Sequence, residues 1–351
     1  MLLYIHIPFC DSKCSYCAFN SYVDKFHLKE SYMDALFVQL EFELQRFQVQ
    51  TNSITSVFIG GGTPSTVSPD LYSKIFHTIK PYLHPKAEIT SEANPNSATY
   101  EWLQGMYKLG VNRISFGVQS FNDAKLKILN RAHSSDDAQR AVHDAKTVGF
   151  ENISLDLIYA TLGDTKELLE YDLRTAFKLP INHLSAYALT IEEGTPFESK
   201  PQMSKERLSL TSWLFENITK KGFKQYEISN FGSYKSKHNL GYWKYDDYIG
   251  LGSGAVGKLK SQRFYPSSDI KTYIATPTDA QKEQLSDEDQ TIEKIFLGLR
   301  SCVGIKKELL DKKELLQAQI LVKEKKLYLI NDTFYNYDYL LADEIALFIS
   351  Y

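Results

Sequence analysis

Three of the chain's four cysteines crowd into one short stretch, Cys10-Asp-Ser-Lys-Cys14-Ser-Tyr-Cys17, while Cys302 stands alone. A disulfide framework is a poor account of so long and otherwise cysteine-poor a chain, and clustered thiols in a reducing compartment point to metal or redox chemistry. The count of three is informative. Structural zinc wants four ligands, and so do ferredoxin-type iron-sulfur clusters. Three thiolates on a four-iron cube leave one iron with an open position. The spacing alone keeps two alternatives: zinc completed by His6 or His27, and buried free thiols.

Other residues have types suited to a site. Gly60-Gly61-Gly62 follows a predicted strand, where glycine lets backbone approach a ligand that side chains would exclude. Glu92, Gln119, Arg131 and Asp156 fall at or just past predicted strand ends or in the following connections. Each by itself reads as a surface or capping residue. Tyr4 and His6 alternate with Ile5 and Ile7, so both polar side chains share one face of a strand. A hydrogen-bonded core histidine explains His6 nearly as well as a direct role.

The elements that must position these residues are short β-rich runs alternating with longer amphipathic segments, the pattern of repeated βα units on a parallel sheet. Strands are predicted near Leu2 to Ile7, Ser56 to Ile59, Glu88 to Glu92, Arg113 to Gly117, Ile153 to Ile158 and His183 to Leu189. In the segment Leu28 to Phe47, Met33, Leu36, Phe37, Leu40, Leu44 and Phe47 form an apolar stripe at helical spacing. Ser68 followed by Pro69 marks another helix start. Six such units make an α/β fold, a partial (β/α)6 barrel of the TIM type, whose chemistry gathers at the C-terminal strand ends.

The pattern changes after about Phe231. The expected organisation is a barrel over 1–235, a connecting region over 236–275 and a small, mainly helical, winged-helix-like domain over 276–351. That last part reads as helix, helix, a hairpin (Leu327 to Ile330, turn Asn331-Asp332, Phe334 to Tyr337) and a final helix.

Lys and Arg number 40 against 43 Asp and Glu, a net charge of -3, so bulk charge gives no reason to expect a polyanionic partner. Lys306, Lys307, Lys312, Lys313, Lys323, Lys325 and Lys326 suggest a winged nucleic-acid reader, but Glu308, Asp311, Glu314 and Glu324 interrupt them, and a solvated helix face is the better account. Gly252 to Gly257 fits a dinucleotide fingerprint by letter, without the amphipathic helix that gives it meaning. No run approaches the roughly 20 apolar residues of a membrane span, and the opening is too short and polar for a secretion signal. The expectation is a cytoplasmic protein with no nucleic-acid partner and no intrinsic membrane anchor; a homodimer is left open.

At the cysteines a family resemblance enters. Cys-x3-Cys-x2-Cys after a leading strand resembles the signature of radical S-adenosylmethionine enzymes. Tyr4-Ile-His6-Ile-Pro8-Phe9-Cys10 is similar to the branch holding oxygen-independent coproporphyrinogen III dehydrogenases and the HemW-type heme chaperones. Gly60-Gly-Gly-Thr63-Pro64, Glu92-Ala-Asn94-Pro95, Gly117-Val-Gln119-Ser-Phe121, Asn130-Arg131 and Asp156-Leu-Ile-Tyr159 continue the match over nearly the whole chain. The resemblance implies a 4Fe-4S cluster on Cys10, Cys14 and Cys17, with S-adenosylmethionine on the open iron. Tyr4, Phe19, Gly60, Gly61, Gly62 and Thr63 would hold that cosubstrate together with Glu92, Gln119, Arg131 and Asp156. Arg131 would face its carboxylate, and the acidic groups suit ribose hydroxyls. One departure stands out: Ala160-Thr-Leu-Gly-Asp164-Thr replaces the family's Gly-Leu-Pro-Gly-Gln-Thr.

The branch offers two functions, oxidative decarboxylation of coproporphyrinogen III propionates or the carriage of heme to an acceptor protein. Phe19 occupies the place of a fourth cysteine found in the dehydrogenases, and the chain reaches Cys10 without their N-terminal segment. His238-Asn-Leu-Gly-Tyr242-Trp243, followed by Asp247-Tyr-Ile-Gly-Leu-Gly252, resembles the chaperones' His-Asn-x-x-Tyr-Trp motif. Imidazole is a common heme ligand, and Tyr242 and Trp243 offer flat faces to a porphyrin. Ser253 and Val256 stand where relatives can have Cys and His. The expectation is a heme chaperone with a retained cluster and cosubstrate pocket; the dehydrogenase is the alternative.

Overall fold

A computed structural model describes all of residues 1–351. All six expected strands form: β1 (Leu2–Ile7), β2 (Ile54–Gly61), β3 (Leu83–Ala93), β4 (Arg113–Gln119), β5 (Asn152–Tyr159) and β6 (His183–Ala188). They are neighbours in chain order and parallel throughout. Between them run α1 (Lys29–Arg46), α2 (Pro69–Ile79), α3 (Tyr100–Leu109), α4 (Asp123–Ile128), α5 (Ser135–Val148) and α6 (Lys166–Ala176). Pro69 does open α2, although the Ser68 side chain makes no capping hydrogen bond.

The strands' period of two separates two environments. Leu3, Ile5 and Ile7, with Val57, Ile59, Ile114, Phe116, Ile153 and Leu155, are buried in one core with helix residues such as Leu36, Leu40, Ile75, Leu103 and Val142. The alternate positions carry Tyr4, His6, Ser56, Glu88, Glu92, Arg113, Asp156, His183 and Tyr187, which line the barrel's inside. Apolar burial on the outer face therefore holds the polar inner face in register, because a one-residue slip would exchange the two.

The barrel is longer than the six units suggest. After β6 come α7 (Leu208–Lys220), β7 (Lys224–Gln225), β8 (Asn230–Gly232), α8 (Lys237–Trp243) and β9 (Tyr248–Leu251). β8 adds antiparallel to β6, and β9 adds parallel to β1 at the opposite edge. β10 (Gly257–Leu259), β11 (Gln262–Pro266), α9 (Ile270–Ala275) and β12 (Ala280–Gln284) follow, the three strands extending that edge antiparallel. The stretch expected to connect two domains, 236–275, is thus built into the main sheet, and so is β12 from the part expected to form the small C-terminal domain. The C-terminal part has its own core around Ile295, Leu299, Leu321, Phe334 and Ile345. Its elements are α10 (Asp287–Leu299), β13 (Ile305–Lys306), α11 (Lys312–Lys323), β14 (Leu327–Ile330), β15 (Thr333–Asn336) and α12 (Ala342–Ser350). The β14–β15 turn uses Asn331 and Asp332 at φ 47° and 59°, the conformation of a two-residue type I′ turn. No helix is long and apolar enough to cross a membrane.

Candidate functional site

At the C-terminal ends of the barrel strands opens a cavity of about 680 Å³. Cys10, Cys14 and Cys17 line it, together with Phe19, Gly61, Gly62, Thr63, Glu92, Gln119, Arg131 and Asp156. The loop after β1 supplies the cysteines because Ile7 is the last residue paired with β2, and the chain then crosses the barrel mouth. Its return is pinned by Cys10 N donating to Tyr22 O (3.0 Å) and Tyr22 N to Pro8 O (2.7 Å). Two expected residues lie outside the lining: Gly60 and Tyr4. Tyr4 instead meets His6 Nδ1 through its hydroxyl at 3.0 Å. His6 Nε2 is taken by Asn20 O at 2.8 Å, so this ring is a satisfied core histidine with no nitrogen left for a metal.

A chain of hydrogen bonds joins two of the thiols. Thr63 Oγ1 donates to Cys10 Sγ (3.4 Å), Asn94 Nδ2 to Thr63 Oγ1 (3.1 Å), Arg131 Nη2 to Asn94 Oδ1 (2.6 Å) and Arg131 Nη1 to Cys14 Sγ (3.1 Å). Asn94 was not among the expected site residues, although it sits in the Glu92-Ala-Asn94-Pro95 string; its signal is that position two beyond Glu92, past the strand end. Burial pushes the Cys10 and Cys17 thiols up, against the lowering influence of Lys13 and of local hydrogen bonds. No three His, Cys, Asp or Glu side chains close round a single ion. One zinc holds all its sulfurs at about 2.3 Å and needs that closeness, whereas a cube binds each thiolate to a different iron.

The donor set fits an anionic, polar ligand beside the thiols. The Arg131 guanidinium keeps its buried Nε without a partner, and Nη2 also donates to Gly117 O at 2.6 Å. Glu92 accepts from Gly61 N at 3.2 Å. Burial, reinforced by the Asp156 carboxylate, pushes the Glu92 carboxyl up to about 8. Asp156 is pushed up by its own burial, opposed by hydrogen bonds from Ser185 and Ser115. A neutral Glu92 both donates and accepts, which suits amine or hydroxyl groups. Glycine is required at 61: φ is 108°, and a Cβ there would strike the His6 imidazole. Tyr187 and Leu189, at the end of β6, complete the wall, and no motif had marked them.

The departing loop after β5 keeps a left-handed residue where the family's motif has glycine. Ala160 itself takes φ 62°. Asp164 accepts from Thr161 N (2.9 Å) and forms a buried ion pair with Lys125 (2.7 Å), whose Nζ also donates to Ile158 O.

The structure places His238, the expected heme ligand, in a closed seat. β9 begins opposite Leu2, so α8, just before it, lies at the N-terminal end of the barrel, away from the cysteines. His238 is 1% exposed. Its Nδ1 meets Ser56 Oγ at 2.8 Å and its Nε2 meets Tyr242 OH at 3.1 Å. The ring stacks on Phe58 at 5.2 Å. Burial pushes its pKa down to about 3, so it is neutral at physiological pH. The Glu88 carboxylate seats the start of α8, accepting from Lys237 N (2.9 Å), His238 N (3.0 Å) and Tyr234 OH (2.8 Å). Tyr242 and Trp243 are half-buried rather than displayed.

The Radical SAM superfamily profile matches residues 4–176. The heme chaperone HemW of Bacillus subtilis is 36% identical over 326 residues, 87% of this chain and 84% of that protein. The heme chaperone HemW of Escherichia coli is 39% identical over 266 residues, 73% of this chain and 70% of that protein. Among solved structures, coproporphyrinogen III oxidase (HemN) from Escherichia coli, a radical SAM enzyme, matches with a TM-score of 0.82, covering 99% of this chain and 90% of that one. At 19% identity that likeness speaks for the fold alone.

Proposed function

This chain belongs to the HemW family, with a barrel of radical SAM type, and from that premise we propose that it is a heme chaperone, binding heme and passing it to an acceptor protein in the cytoplasm. The observation that carries the reading is identity of 34–39% to curated heme chaperones over most of the chain. Phe19, 67% exposed at the cavity, favours it over the dehydrogenase, whose fourth cysteine it replaces.

Cys10, Cys14 and Cys17 would hold a 4Fe-4S cluster, and Gly61, Gly62, Glu92, Gln119, Arg131 and Asp156 would hold S-adenosylmethionine. The cluster, when bound, supplies single electrons. The remaining work belongs to side chains: Arg131 offers its guanidinium to a carboxylate, Glu92 stays protonated beside an amine or hydroxyl, and Gly61 and Gly62 leave room for a ligand against the backbone. Gln119, at φ 68°, turns the chain away from β4 at the cavity wall.

Heme would be taken at His238, Tyr242 and Trp243 once α8 leaves its seat. With a proton on Nδ1 directed at Ser56, the Nε2 lone pair is the one covered by Tyr242, and it is the one an iron would take. The test is addition of heme to purified protein and to His238→Ala. A Soret shift in the wild type that the variant lacks supports the site. An unchanged spectrum in both ends the ligand claim, and conversion of coproporphyrinogen III with reductant and S-adenosylmethionine would establish the dehydrogenase instead.

A further inference from the structure

Lys13, between the first two cysteines, turns its ammonium back across the loop. Nζ donates to Phe19 O and to Ser21 Oγ, each at 2.7 Å. The Lys13 carbonyl accepts from Asn130 Nδ2 at 2.7 Å, anchoring the same residue to the segment that carries Arg131. Residues 13 to 21 are thereby closed into a ring that contains Cys14 and Cys17, with Cys10 just ahead of it. Lys13 is half-buried and lines the cavity beside all three thiols. Both acceptors of Nζ are neutral oxygens, so no hydrogen-bonded carboxylate cancels its charge.

Two consequences follow from chemistry. A loop whose ends are tied before metal arrives offers its thiolates already gathered, which lowers the ordering cost of binding. A positive charge beside an iron-sulfur cluster also favours the form that carries one more electron, since net charge near the cluster is among the levers that set its potential.

We propose that Lys13 is a positioning residue for the thiolate loop, tying residues 13 to 21 into a closed ring and biasing a bound cluster toward its one-electron-reduced form. The inference rests on the cluster reading above. In the reduction, one electron passes from a low-potential reductant such as dithionite to the oxidised cluster, and no bond to Lys13 breaks.

The experiment reconstitutes the full chain anaerobically as wild type, Lys13→Met and Lys13→Arg. Three quantities are measured without S-adenosylmethionine: iron and sulfide content, the rate of iron loss to a chelator, and the midpoint potential from a dithionite titration followed by electron paramagnetic resonance. Lys13→Met is expected to lose iron about tenfold faster, in keeping with loss of a charge-assisted hydrogen bond, and to have a more negative midpoint. Lys13→Arg, which keeps charge and donors, is expected to restore both. A merely structural lysine would leave the potential of loaded protein in place. Wild-type values in Lys13→Met overturn the proposal. If Lys13→Met takes up no cluster, wild-type loading of Lys13→Arg supports it and failure of both variants overturns it. Wild-type protein free of iron and sulfide defeats the cluster reading itself, before any variant is compared.

Discussion

Tyr242→Phe removes one hydroxyl and leaves the ring, and it is expected to strengthen heme binding. In the closed structure Tyr242 OH meets His238 Nε2 at 3.1 Å, while the ring packs edge-on against Tyr248 at 4.8 Å. Phenylalanine keeps that packing and loses only the cover on the lone pair. A net hydrogen bond is worth about 1 kcal/mol, or about fivefold in an equilibrium constant. Because apparent affinity scales with the fraction of protein in the binding-competent state, heme affinity should rise by about that factor. The assay is hemin titration followed at the Soret band for wild type, Tyr242→Phe and His238→Ala. Equal or weaker binding by Tyr242→Phe, with His238→Ala showing the same Soret shift as the wild type, would refute the reasoning: α8 would then be a permanent plug and heme would sit elsewhere.

Three further outcomes are expected. Lys125→Met strands the buried Asp164 carboxylate and should cost about 3–5 kcal/mol, whereas Lys125→Met with Asp164→Leu should cost far less than the sum of the single changes; strictly additive urea midpoints would contradict the pairing. Glu92, raised from 4.5 to about 8, binds its proton more tightly folded than unfolded. Stability without ligand should therefore fall as pH rises between those values, by up to roughly 1.4 kcal/mol per pH unit, and Glu92→Gln should flatten that slope; identical pH profiles of thermal unfolding would refute the assignment. Cys14→Ser should abolish stoichiometric iron and acid-labile sulfide after anaerobic reconstitution, and a zinc content equal to protein without sulfide in the wild type would defeat the cluster.

The chemistry-bearing cysteines and the barrel strands were legible in the sequence because both are local. The cysteine spacing sits on a single loop, and the strands' outer faces show runs such as Leu3, Ile5, Ile7 whose burial dictates their direction. The hairpin of the C-terminal part was legible for the same reason, its turn written in Asn331 and Asp332. What lay beyond the sequence depended on pairings between distant residues. Ala280–Gln284 reads as a polar connection, yet it becomes a strand because β11 offers its edge, and the backbone bonds that decide this leave no apolar alternation to read. Asn94 acquires its place only when Arg131 and Thr63, 37 and 31 residues away in the chain, are folded against it. The motif around His238 shows an imidazole and two aromatic rings, but not which end of the barrel they occupy or whether a nitrogen is free. That was decided by β9 pairing with β1, which draws α8 into the N-terminal end and gives the imidazole two hydroxyl partners, since a polar ring buried there must be satisfied.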